Sequence, residues 1–138
     1  MTNLKRKIAT AAILSTLALS VFAPLAFARL TTAPAWVSLS RWFSNIYILS
    51  WASVPGAAYY HADISFWDGS RWVIDRTFNQ YSRSVSVQLW RCNTWWVGYA
   101  QGVDRDGYGP GRYSNMVAPQ CGYGPSVPSS PPPLPSSR

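Results

Sequence analysis

Glutamate is absent from this 138-residue chain, and lysine does not occur after residue 28. Carboxylate pairs for glycoside hydrolysis would therefore have to come from Asp63, Asp68, Asp75, Asp104 and Asp106, and nothing in their spacing sets two of them across a cleft. Histidine occurs once, as His61, two residues from Asp63. Such a pair can orient a base. However, Gly-x-Ser-x-Gly, Ser-x-x-Lys and His-Glu-x-x-His are all missing beyond residue 28, so no nucleophile stands ready beside it. Asp104-Arg105-Asp106-Gly107 has a fragment of a calcium loop but lacks a third acidic ligand and the closing glutamate, and reads as a glycine turn. No catalysis, cofactor or resident metal is expected. Runs of basic residues are missing too. Beyond residue 28, nine arginines against five aspartates give +4, scattered singly, which is a poor footprint for nucleic acid.

The basic residues that do cluster are Lys5, Arg6 and Lys7, ahead of an apolar run from Ile8 to Leu25 that closes on Ala26-Phe27-Ala28. This order of charge, apolar run and small-x-small site predicts a secretory signal peptide over residues 1–28. No later stretch is long enough to span a bilayer, and neither cysteine lies at the cleavage site to carry a lipid, so free secretion is expected. In that oxidising setting the two cysteines, Cys92 and Cys121, should form one bridge. From Gly122 the composition turns to Pro, Ser and Gly, which predicts a disordered or polyproline-like tail over 122–138. Residues 29–121 remain for a single domain.

No window of that domain keeps helical spacing, whereas short aromatic and β-branched runs recur between turn residues. Strands are expected at Ala35–Leu39, Ile46–Trp51, Tyr59–Trp67, Arg71–Arg76, Ser84–Leu89, Trp95–Val103 and Gly111–Val117. Asp68-Gly69 tolerates φ > 0 at both central positions of a hairpin turn. Seven strands in so short a span suggest a sandwich. The order of Ala33-Pro34, Leu49-Ser50-Trp51, Pro55-Gly56-Ala57-Ala58-Tyr59-Tyr60, Trp72, Leu89, Trp95 and Gly107-Tyr108-Gly109-Pro110-Gly111-Arg112-Tyr113-Ser114 resembles the fibronectin type III domains over most of Pro34 to Val117. The resemblance implies an all-β, seven-stranded antiparallel, immunoglobulin-like sandwich and a role in binding or spacing. It also puts Trp95 where the family usually has a tyrosine whose hydroxyl ties a corner to the backbone.

Alternation along the strands predicts an inward set of Tyr47, Leu49 and Trp51, of Tyr60, Ala62, Ile64 and Phe66, and of Val85, Val87 and Leu89. The sixth strand has two registers. Burying Trp95, Val97 and Tyr99 removes more apolar area than burying Trp96, Gly98, Ala100 and Gly102, and is preferred. It would leave Trp96 facing outward beside Tyr59, His61, Asp63 and Trp67. In the other register these aromatics pack against the C-terminal segment. Eight tryptophans exceed what one small core hides, and Trp36 and Trp42 could seal the bottom of the sandwich. Trp67, Trp72, Trp96, Tyr59 and Tyr108 are the expected ligand-binding residues, because aromatic faces stack on sugar rings or partner side chains at small entropic cost. The expected function is that of a secreted non-catalytic module binding a polysaccharide or a cell-surface protein. The alternative is self-association through the apolar outer face of Ile46 and Ile48.

Overall fold

The structure is a computed structural model that describes residues 29–136; the expected signal peptide lies outside the described residues. Seven strands form: β1 (Val37–Phe43), β2 (Ile46–Trp51), β3 (Tyr59–Trp67), β4 (Trp72–Gln80), β5 (Ser84–Gln88), β6 (Trp96–Asp104) and β7 (Gly107–Val117). All pairings are antiparallel, in one sheet of order β1-β2-β5 and another of order β4-β3-β6-β7. No described residue is helical, so the fold is the expected all-β sandwich. Its core follows the period-2 pattern: Tyr47, Leu49 and Trp51 meet Tyr60, Ala62, Ile64 and Phe66, with Val87 and Leu89 closing one side. Each fully buried aliphatic side chain contributes about 1.5–3 kcal/mol. Trp51 and Tyr60 meet with ring centroids 5.7 Å apart, and the Tyr60 hydroxyl accepts a bond from the Val54 N–H.

Strand β6 takes the register not preferred from the sequence. Trp96 and Ala100 join the core, and a Cβ on Gly98 would lie 2.3 Å from Leu49 Cδ1. Counting apolar bulk failed here because Leu49 already fills the space opposite β6, where only a residue without a side chain fits. The corner residue moves with the register: Trp96, not Trp95, ties back to the backbone, its indole N–H donating to the Arg91 carbonyl at 3.0 Å. The Arg91 guanidinium lies over the Phe66 ring at 4.1 Å and the Trp90 ring at 4.4 Å, a cation–π contact with each.

Other departures have local causes. The β3–β4 loop runs 68–71 between the paired Trp67 and Trp72, and only Gly69 has positive φ. Asp68 instead turns its carboxylate onto the N–H groups of Ser70 and Arg71, as a capping acceptor does. Strand β1 runs on to Phe43, so Trp42 projects from a hairpin tip, 71% exposed, and Trp36 is half-exposed; neither seals the sandwich. Strand β7 begins at Gly107 because Arg105 and Asp106 alone make its turn. The Asn115 side chain joins the sheets, accepting from the Leu39 N–H and donating to the Leu39 carbonyl.

Candidate functional site

The face of the four-stranded sheet away from the core carries several of the aromatic residues that the sandwich does not bury. Pairing sets them in rows across the strands. At one end, Tyr108 of β7 pairs with Val103 of β6, Val103 pairs with Tyr59 of β3, and Tyr81 follows β4. Tyr59 and Tyr81 meet edge to face with centroids 6.4 Å apart. His61 stands edge to face with Tyr108 at 5.2 Å. Tyr81 is 84% exposed and Tyr108 53%, and Tyr59, Asn79, Gln80 and Tyr81 line a shallow groove of ≈ 240 Å³. The end therefore offers aromatic faces with two amides between them.

His61 and Asp63 do sit together. The imidazole Nε2 is 3.5 Å from Asp63 Oδ1, while Nδ1 lies 2.9 Å from Asn79 Oδ1. The same Asp63 oxygen also accepts the Thr77 hydroxyl at 2.8 Å, so the carboxylate is committed to structure within the sheet.

At the other end of β3, Trp67 and Trp72 form a cross-strand pair with centroids 5.5 Å apart and planes at 65°. Eight residues separate Tyr59 from Trp67, about 26 Å along an extended strand. The five expected ligand residues thus do not form one patch. Tyr59 and Tyr108 belong to one end, Trp67 and Trp72 to the other, and Trp96 is fully buried in the core. Residues that the expected set missed are Tyr81 and the groove amides Asn79 and Gln80. Their signal was the continuation of β4 past Arg76 to Gln80, hidden by polar residues that read as a loop.

Cys92 and Cys121 form the expected disulfide, with Cα atoms 5.5 Å apart. Beside it Asn93, at φ 53°, donates its backbone N–H to the Pro119 carbonyl and its amide to the Tyr123 carbonyl, and accepts from the Cys121 N–H. The chain leaving β7 is therefore sewn to the turn before β6. Among the described residues no helix is long and apolar enough to cross a membrane.

No protein-family profile matches the sequence, and a search of curated proteins finds no match. Solved structures do match. The third fibronectin III domain of human KIAA0343 protein aligns with a TM-score of 0.53 at 19% identity, over 70% of this chain and 87% of that one. The FN5 domain of Drosophila Lar aligns with a TM-score of 0.51 at 16% identity, over 67% of this chain and 99% of that one. Similarity at this level establishes the fold. Two sheets of three and four antiparallel strands in this order give the chain a fibronectin type III-like fold.

Proposed function

We propose that the protein is an exported, non-catalytic binding module that takes a polysaccharide on the tyrosine end of its outer sheet face. The observation that carries this reading is the edge-to-face pair of Tyr59 and Tyr81 lining a groove with Asn79 and Gln80, with exposed Tyr108 in the neighbouring row. Exposed rings supply stacking area, and the amide ends not taken by His61 and the Ser84 carbonyl, the Asn79 nitrogen and the Gln80 oxygen, supply a donor and an acceptor for a sugar's hydroxyls. Export rests on the N-terminal apolar run and on the disulfide, which persists in oxidising compartments. Titration with a panel of soluble polysaccharides at low and high salt, followed by ring-proton NMR, tests it. One class of glycan should perturb the tyrosine rings at both salt concentrations, and Tyr81→Ala should weaken that binding at least tenfold without changing the melting temperature. Flat titrations with every polysaccharide would transfer the face to an extracellular protein partner.

A second reading, self-association, draws on Trp42 and Phe43, which stand side by side at the β1–β2 tip, each 71% exposed, with Ile46 and Ile48 half-buried on the adjoining outer face. Light scattering that finds a strict monomer at high concentration would remove it.

A further inference from the structure

The chain's C-terminal segment does not leave the domain. The Trp72 indole N–H donates to the Pro133 carbonyl at 2.7 Å, across 61 residues of sequence. We propose that the tryptophan end of the outer face is a docking site for polyproline II segments, and that its occupant is the chain's own Pro131–Pro135. The proposal does not rest on glycan binding at the tyrosine end, about 26 Å away along β3.

The chemistry of the two partners fits. A run such as Pro131-Pro132-Pro133-Leu134-Pro135 has no N–H groups at its prolines and cannot extend a sheet edge. Its carbonyls are free, because polyproline II makes no internal hydrogen bonds, and its stiffness leaves little entropy to lose on docking. A surface that recognises it needs an indole or similar donor for a carbonyl and ring faces for the pyrrolidines. Trp72 supplies the donor, and Trp67, tilted 65° to it, supplies a second face.

The tether makes this contact favourable even for a weak intrinsic affinity. The disulfide and Asn93 hold the segment at Cys121 and Tyr123, beside the turn that leads to Trp95, whose carbonyl accepts the Trp67 backbone N–H. From Tyr123 to Pro133 is ten residues, up to about 31 Å of extended chain, and so short a linker gives an effective concentration in the millimolar range. The bound tail acts as an intramolecular competitor for any other proline-rich chain.

The indole ¹⁵N–¹H spectrum of the full-length oxidised protein tests this. In a Pro131→Gly/Pro132→Gly/Pro133→Gly variant the Trp72 indole signal should move and exchange with water faster. A synthetic peptide of residues 129–138 at millimolar concentration should restore it. The same peptide should leave the wild-type signal in place, and Trp72→Phe should melt normally but show no response to the peptide in its Trp67 signal. An indole signal identical in the wild type and the triple variant would overturn the proposal, as would a peptide that restores nothing. A wild-type signal that changes with protein concentration would overturn the tethered occupant in favour of a tail exchanged between copies.

Discussion

The indole N–H of Trp96 reaches back five residues to the Arg91 carbonyl, 3.0 Å away, and so closes the corner between the two sheets with a donor on a larger ring in place of a tyrosine hydroxyl. Trp96→Phe removes the donor and leaves that carbonyl short of a partner in a part-buried site. Loss of about 1–3 kcal/mol is expected from urea unfolding. Trp96→Tyr should recover part of the loss, because a hydroxyl can offer the same proton. Equal stability for the two variants would show that ring volume alone matters at this corner.

Gly98 belongs to the same strand and is constrained by the opposite sheet. A Cβ there would overlap Leu49 Cδ1 at 2.3 Å, and Leu49 is itself fully buried. Gly98→Ala should cost about 1–3 kcal/mol by overpacking. Leu49→Ala alone should cost about 2–5 kcal/mol through the cavity it leaves. The double variant should be less destabilised than the two singles added together, because the new methyl occupies part of the space the leucine vacates. Strict additivity in thermal melts would mean that β6 shifts away from β2 instead.

These two residues also mark where the sequence was legible and where it was not. Strands β3 and β5 alternate apolar and polar residues, and β2 carries its bulkier set, Tyr47, Leu49 and Trp51, on one face, so their inward sets stand in the chain as they do in the core. Strand β6 is apolar on both faces because both are covered, and Val97 and Tyr99 are as buried as Trp96 and Ala100. Alternation carries no information in such a strand; the space left by Leu49 decides, and that is a property of the partner sheet. The aromatic site was legible in composition but not in position. Tyr59 and Trp67 lie on one face of one strand, yet its length keeps them apart. The proline run looked like a free tail because nothing local marks its contact with Trp72, 61 residues away.

Asp68 gives the protein an acid-sensitive turn. Its carboxylate accepts the backbone N–H of Ser70 first and of Arg71 next, which lowers its pKa from 3.8 to about 2. A depressed folded-state value stabilises the fold above the ordinary carboxylate pKa, and that stabilisation is lost as pH falls from about 4 toward 2. The Asp68 carboxyl carbon, followed by NMR, should titrate with a midpoint near 2, and Asp68→Asn should flatten that part of the stability profile. A midpoint near 4 would show that the turn's N–H groups do not hold the charge.

Finally, the disulfide should report on both the core and the tail. Cys92 and Cys121 are 29 residues apart in sequence, and closing such a loop stabilises the fold by about 3–4 kcal/mol in the chain-entropy account. The Cys92→Ala/Cys121→Ala variant should lose that amount in urea unfolding. It also frees the root of the tail, so the tether to Pro133 runs from Val117, at the end of β7, instead of from Tyr123, sixteen residues in place of ten. Effective concentration falls roughly as the −3/2 power of linker length, so tail occupancy on Trp72 should weaken about twofold against a competing proline-rich peptide. Unchanged stability in the variant would mean that the Asn93 hydrogen bonds hold the segment without the bridge. Unchanged competition alongside lost stability would mean that the tail is held by its contacts with the sheet and not by its tether.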